Sequence, residues 1–459
     1  MAGIYIGLSK DGSGHALSYS GENHLITIGP PGTGKSTSLL MPNLASLERS
    51  ILVIDPKGEL AAVTAQKRAA FGRVVVLNPF GVLVDECPYL KSHGFNPLVL
   101  LDPDSDDFVD DASAIAEGLV KIQGNDPHWT EGGQDFVTAL IMYVRRLGGT
   151  TTHLGMVRKL LTEGRSFDHE KKPQGLEKTI FEMRFCGYEP IEQKAGRFGA
   201  DNDEMGSIVS AAISQTKFLD SPPIVRDLSN NSGFDFRSMR NGIVTVYLIL
   251  PIGRMSTHSS WFRLIIAAAL RSLTDAKNTR FDQTRPPVLF MLDEFAQLGH
   301  MTSIEDAMSA ARGSRLQLWP ILQDLTQLKK IYGETWENFL GTAGFSSFFT
   351  PRTMSTASYI SERGGSHERP TQSKTSGDDG RASRTISTVV EPVYRPEFFL
   401  GMKKGNLVSF TEFVADAQFL EAPHYNDKRL SQWCSDLAQN PYYRTTSAGG
   451  PWGATRRTG

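Results

Sequence analysis

Short apolar runs, most of them rich in β-branched residues, recur along the chain at Ile51-Leu52-Val53-Ile54, Val74-Val75-Val76-Leu77, Ile243 to Leu250, Val288 to Leu292 and Leu316 to Leu322. Most are apolar at consecutive rather than alternate positions, which suits strands of a parallel sheet covered by helices on both faces. Between Gly124 and about Val225 this pattern stops, and helical periodicity replaces it in Gln134 to Arg146, Leu154 to Leu161, Leu176 to Met183 and Glu204 to Phe218. Strands resume at Ile243, and the following helix, Trp261 to Leu273, is apolar around its whole circumference, as a helix buried between layers is. The expected fold class is therefore α/β, a mostly parallel sheet built from discontinuous sequence with an inserted all-α domain. Residues 1–124 and 226–425 form the two parts of the α/β domain, 125–225 the insert, and 426–459 a C-terminal helix and mobile tail.

Two features interrupt this plan. From Glu362 to about Thr388 the chain is polar and rich in Gly and Ser, as in Ser376-Gly377-Asp378-Asp379-Gly380, so the segment 362–388 is expected to be mobile. Pro42 falls about two turns into the helix expected after Lys35, where its ring and missing N–H predict a short or bent helix.

With 459 residues the chain is long enough for two or three domains. Its 40% hydrophobic and 21% charged residues and formal net charge of −2 describe an ordinary globular protein. Overall charge neither implies nor excludes a nucleic-acid partner, because a near-neutral chain can still concentrate Lys and Arg locally. Cys87, Cys186 and Cys434 lie far apart, in no metal-ligand spacing, which fits reduced thiols in the cytoplasm. The longest apolar stretches, such as Ile265 to Leu270, fall well short of the roughly 20 residues that span a bilayer.

Candidate chemistry begins at Gly29-Pro30-Pro31-Gly32-Thr33-Gly34-Lys35-Ser36-Thr37, a complete G-x-x-x-x-G-K-S phosphate-binding loop that follows the apolar run His24 to Ile28. The glycines let backbone N–H groups converge on phosphates, Lys35 supplies a point charge for the β and γ oxygens, and the Ser36 hydroxyl can reach Mg²⁺. Pro30 and Pro31 stiffen the entrance. Hydrolysis needs more than this loop. It requires a carboxylate that supports the metal and a group that activates water, and Asp293 and Glu294, at the end of the apolar run Val288 to Leu292, supply both. In this reading Asp293 supports Mg²⁺ through water and Glu294 is the general base. Gln323, after the next strand, is placed to contact a γ-phosphate or to be an ordinary surface amide. Arg312, near the end of the helix after the acids, reads from the residues alone as a cation favoured by the helix dipole.

Other clusters are weaker. Asp102, Asp104, Asp106 and Asp107 lack the Gly and terminal Glu of a calcium loop. His128 and Trp129 read as a helix-start pair, and Lys171-Lys172, Lys329-Lys330 and Lys403-Lys404 define no track for DNA.

Asp55-Pro56-Lys57-Gly58-Glu59, Phe95-Asn96-Pro97-Leu98, Asp126-Pro127-His128-Trp129, Asp293-Glu294-Phe295-Ala296-Gln297-Leu298-Gly299 and Leu322-Gln323-Asp324-Leu325-Thr326-Gln327-Leu328, in this order, resemble the type IV coupling proteins of conjugation and type IV secretion. The resemblance covers about His24 to Pro423. It implies a RecA-like P-loop ATPase that uses ATP and Mg²⁺, assembles as a hexameric ring, recruits a relaxase or relaxosome or protein effectors, and pumps single-stranded DNA toward secretion-channel components at the inner membrane. It also implies that Arg312 reaches into a neighbouring subunit's site and that Gln323 senses the γ-phosphate. Members of the family usually begin with a transmembrane segment. This sequence shows none, which fits either a membrane-free branch of the family or a shortened chain; as given, a cytoplasmic protein that secretion-system partners could hold at the inner membrane is expected. An ATP-dependent platform for protein effectors and a RecA-like helicase are the alternatives.

Overall fold

A computed structural model describes residues 3–121, 128–198, 203–230, 232–274, 284–310, 315–376, 382–445 and 454–456. In chain order its strands are β1 (Ile4–Ser9), β2 (Ala16–Tyr19), β3 (His24–Ile28), β4 (Ile51–Ile54), β5 (Arg73–Leu77), β6 (Arg165–Phe167), β7 (Pro173–Gly175), β8 (Val244–Leu248), β9 (Val288–Leu292), β10 (Leu316–Leu322), β11 (Ala343–Phe349), β12 (Ser366–Ser376), β13 (Ala382–Pro392), β14 (Asn406–Thr411), β15 (Gln418–Glu421), β16 (Tyr443–Thr445) and β17 (Ala454–Arg456). The chain divides into two compact units, residues 1–43 with 321–434, and residues 44–320 with 435–459.

In the first unit β3 lies between β11 and the last two residues of β10, parallel to both. All five residues of β3 are buried, as the run of apolar positions requires. Beyond β11 the ladder turns antiparallel through β14, β15, β1 and β2. The strands β1 and β2 precede the first one read from the sequence. β2 is short and only its last residue is fully buried, so it lacks the apolar run that marks a central strand.

The second unit is built on parallel strands in the order β10-β9-β4-β8-β5, using residues Leu316 to Pro320 of β10. β9, β4 and β8 are buried at every position, the outcome expected of strands covered on both faces. The helix Met255–Thr274 packs along the helix Phe108–Leu119 and is buried without interruption from Ser259 to Leu270. One of those residues is Arg263, which stays inside by donating to the carbonyls of Leu298, His300 and Glu117 at 2.9, 2.5 and 3.0 Å. From His128 to Ser229 helices dominate, with one short exposed hairpin, β6 with β7, among them.

The segment 362–388 is not featureless. The helix Met354–Arg363 ends in it, and β12 and β13 pair as a long antiparallel hairpin, with 377–381 outside the described residues. Pro42 behaves as its chemistry demands. Residues Ser36–Leu40 form a widened π turn, closed by Met41 N–H on the Ser36 carbonyl, and only Met41–Ser46 is regular α-helix. Widening makes room for a proline ring that would clash with a carbonyl four residues back. Among the described residues no helix is long and apolar enough to cross a membrane.

Candidate nucleotide site

The loop after β3 is held by the strand beside it. Gly29 N–H donates to the Leu322 carbonyl at 3.0 Å, and the Thr33 hydroxyl donates to the Pro30 carbonyl at 2.8 Å. Gly32 and Gly34 have φ of +80° and +103°, the left-handed region that glycine enters at no steric cost. A Cβ on Gly34 would meet the Ser38 hydroxyl at 2.9 Å, a side-chain tip that can turn away, so the left-handed φ is the main reason for glycine there. Lys35 is 8% exposed, and its amine curls back to donate to the carbonyls of Gly29 and Pro30. A cation held by neutral carbonyls at the mouth of a glycine cradle fits a phosphate chain. Thr37 is tied in from the C-terminal side, its carbonyl accepting from Tyr425 N–H at 2.9 Å.

Gln323 belongs to the same unit. It directly follows Leu322, whose carbonyl holds Gly29, and its own N–H donates to the Gln327 side chain at 3.0 Å. Next to it, Asp324 caps the helix Leu325–Tyr332 through Thr326 N–H at 2.8 Å and accepts from the hydroxyls of Thr353 and Thr356. Partial burial opposes ionisation of Asp324, but these hydrogen bonds outweigh it and hold the carboxyl below its usual range.

In the second unit, Asp293 and Glu294 follow the buried strand β9. Glu294 adopts φ +52° and ψ +40°, a left-handed conformation costly for a residue with a Cβ, and its N–H donates to Asp293 Oδ1 at 3.0 Å. Strain of this kind persists where surrounding structure imposes it. The site has a neighbour that the sequence reading quoted only as part of a motif. Asp55, at the end of β4, is 2% exposed and accepts from Ala61 N–H at 2.8 Å. Burial pushes its carboxyl up to about 7, with the charges of Glu59 and Asp293 acting in the same direction and the Ala61 and Leu60 hydrogen bonds against it. Above that turn lies the C-terminal segment, with Asn440 donating to Glu59 at 2.7 Å and the Tyr442 hydroxyl to the Lys57 carbonyl at 2.7 Å. An apolar strand ending in an acid was the available signal for Asp55; nothing in the sequence pointed to Asn440 or Tyr442.

The sequence-predicted residues thus fall into two groups, the loop 29–37 with Gln323 in the first unit, and Asp293 with Glu294 in the second. Arg312, Asp126 and Pro127 lie outside the described residues. His128 starts the helix His128–Gly148, pairing with Glu204 at 3.0 Å and packing edge-on against Trp129.

Fold and loop together define an α/β P-loop protein whose acids stand at the C-terminal ends of parallel strands, where sheets of this kind bind ligands. The chain belongs to the type IV secretory system conjugative DNA transfer family, whose model matches residues 3–431. It is 26% identical over 431 residues to the conjugal transfer protein TraG of Escherichia coli, covering 87% of this chain and 65% of that protein. To protein VirD4 of Agrobacterium fabrum it is 24% identical over 434 residues, covering 91% and 61% respectively. The chain therefore spans less than two thirds of the length of these relatives. Among solved structures, the bacterial conjugative coupling protein TrwB in an unbound form superposes with a TM-score of 0.65 at 17% identity, over 89% of this chain and 87% of that one. TrwB in complex with ADP and Mg²⁺ gives 0.62 at 17% identity, over the same shares. The shared fold is a mostly parallel α/β core with a helical domain.

Proposed function

We propose that this chain is the ATP-driven motor of a conjugative or type IV secretion coupling protein, binding and hydrolysing ATP to recruit single-stranded DNA or a nucleoprotein substrate and move it toward the secretion channel. The observation that carries this reading is the loop after β3, with Lys35 folded over a cradle of left-handed glycines, in a chain that matches a DNA-transfer family along nearly all its length. That TrwB has been solved with a non-hydrolysable ATP analogue and with ADP and Mg²⁺ supports ATP and Mg²⁺ as the ligands.

Residues 29–37 hold the triphosphate. Lys35 leaves its loop carbonyls to meet the β and γ oxygens, exchanging neutral acceptors for charged ones. Ser36 and Asp293 are the groups that would hold Mg²⁺, Asp293 through water, and the charge neutralisation it would supply falls at the phosphoryl group. Glu294 accepts the proton of the attacking water as general base, and its strained backbone fixes where the carboxylate points. Gln323 reports the presence of the γ-phosphate to Asp324 and its helix. Arg312 completes the site of the next subunit in a hexameric ring, stabilising charge in the transition state. Relaxase or effector proteins and channel components at the inner membrane are the partners of such a motor.

ATP turnover measured with and without single-stranded DNA, across protein concentration, tests this reading. Turnover is expected to rise with both. Turnover indifferent to DNA would favour an effector-recruitment platform, and separation of a tailed duplex would favour a helicase.

A further inference from the structure

After Cys434 the chain enters the second unit and runs back along the helix Glu59–Phe71, from Lys67 to the turn that precedes the helix. Contacts come at every other residue of this strap and every fourth residue of the helix. Asp436 pairs with Lys67 at 2.5 Å, Ala438 N–H donates to the Val63 carbonyl at 3.1 Å, and the Asn440 side chain donates to Glu59 at 2.7 Å. Eight helical residues rise about 12 Å, and four residues of chain reach about 13 Å only when extended, so the strap is drawn out along its track. Tyr442 makes the final step, past the start of the helix, where its hydroxyl donates to the Lys57 carbonyl at 2.7 Å.

The end of the strap is its firm part. Asp436 is exposed, and an ion pair of that kind contributes little. Asn440 is 3% exposed and uses both ends of its amide, accepting from Tyr442 N–H at 3.0 Å while it donates to Glu59. Burial, and then the charges of Asp55, Glu59 and Glu86, push the Tyr442 hydroxyl up to about 12, so it remains a donor in neutral solution and feels the carboxylates of the turn it holds. That turn, Asp55 to Gly58, is closed by Gly58 N–H on the Asp55 carbonyl at 3.1 Å, and its first residue stands beside Asp293 through the β4–β9 register.

Lys57 and Glu59, the two residues the strap ties down, flank Gly58, whose φ of +68° and missing Cβ make it the pivot between strand and helix. Fixing both neighbours of a pivot removes its freedom. If the turn swung there, Asp55 would lose the Ala61 N–H that its carboxylate accepts at 2.8 Å. We propose that Asn440 and Tyr442 are positioning residues for the nucleotide site: they latch the turn Asp55 to Glu59 and thereby hold the Asp55 carboxylate beside Asp293, the group that would support Mg²⁺. Neither residue acts on the reacting atoms. The latch depends on the ATPase reading for its purpose, not for its existence.

The test uses the full chain. Asn440→Asp sets a second carboxylate against Glu59 and should open the latch, whereas adding Glu59→Gln restores one donor and one acceptor and should close it. Without nucleotide, hydrogen exchange across residues 57–62 should be on the order of tenfold faster in Asn440→Asp, the loss of one charge-assisted hydrogen bond, and close to wild type in the double variant. Tyr442→Phe, which removes only the hydroxyl, should raise exchange by less. Binding of a non-hydrolysable ATP analogue with and without Mg²⁺ then reads the positioning. The gain in affinity that Mg²⁺ brings should fall on the order of tenfold in Asn440→Asp, as when a group behind a metal ligand is lost, and return in the double variant, with metal-free affinity unchanged. Exchange unaltered by Asn440→Asp, or raised without recovery in the double variant, overturns the latch. Faster exchange with the Mg²⁺ gain intact overturns the positioning role. A wild type indifferent to Mg²⁺ counts against the ATPase reading, and exchange alone then decides the latch.

Discussion

Asp55 and Asp293 leave neighbouring parallel strands at the same level, because the residues before them, Ile54 and Leu292, are register partners in the β4–β9 ladder. Two carboxylates are thereby set side by side at the C-terminal edge of the sheet, one of them almost completely buried. Keeping both ionised there is costly without a cation.

That relationship predicts a pH effect. Because the folded-state carboxyl of Asp55 is raised to about 7, the folded protein holds a proton between pH 4 and 7 that the unfolded chain has lost. Stability linked to Asp55 is therefore full below pH 4 and declines as pH rises through 7, by on the order of a few kcal/mol. Urea unfolding midpoints in EDTA should fall more between pH 5 and pH 8 in the wild type than in Asp55→Asn. Equal changes in the two proteins would mean that Asp55 carries no raised pKa.

Asp324→Ala should cost about 1–2 kcal/mol, since it removes a helix cap and the acceptor for two threonine hydroxyls. The sign with pH is opposite to that of Asp55. A depressed carboxyl stabilises above its unfolded pKa and stops doing so as pH falls through the folded value. The difference between wild type and Asp324→Ala should shrink below about pH 4, which denaturation at pH 3 and pH 7 would show.

Much of this was legible in advance, and the reasons differ by element. β4, β9 and β10 announce themselves because a strand covered on both faces needs consecutive apolar residues, and the ends of Val288 to Leu292 and Leu316 to Leu322 fall where the apolar runs end. β2 was missed because it is a short, partly exposed strand with no such run, whereas β1, apolar and buried at five of its six positions, did carry the signal. The loop 29–37 is readable because phosphate binding dictates Gly and Lys at set offsets, and Pro42 because its missing N–H has only local consequences. Asp55 needed the fold. Its strand end was visible, but its burial and its pairing with Asp293 arise from the β4–β9 register, which connects residues far apart in sequence. The hairpin β12–β13 has the composition of a mobile segment, and its strands come from backbone pairing, to which composition is nearly blind.

Gly34→Ala should fold yet bind nucleotide poorly. Its left-handed φ costs a residue with a Cβ on the order of 1–2 kcal/mol, and the added carbon presses on the Ser38 hydroxyl in the first turn after the loop. Fluorescent-nucleotide titration should show weaker binding while the melting temperature drops by a few degrees. Undiminished affinity would show that the loop backbone does not hold the phosphates.

Arg312→Ala should retain ATP binding and lose turnover by on the order of 10³–10⁵, as removal of an arginine finger does. Mixed with Lys35→Ala subunits, which keep Arg312, it should recover part of the activity at interfaces that pair an intact loop with an intact arginine. Mixtures that co-assemble and stay inactive would make Arg312 a helix-end cation only.

The central claim is that residues 29–37 bind the nucleotide while Glu294 activates water, and it is tested most directly by measuring bound ATP and released phosphate on the same samples of wild type, Lys35→Ala and Glu294→Gln. Lys35→Ala should lose both, because it removes contacts made in the ground state, whereas Glu294→Gln should keep ATP bound and release almost no phosphate. Equal loss of ATP binding in the two variants, or phosphate release by Glu294→Gln at the wild-type rate, would contradict the account.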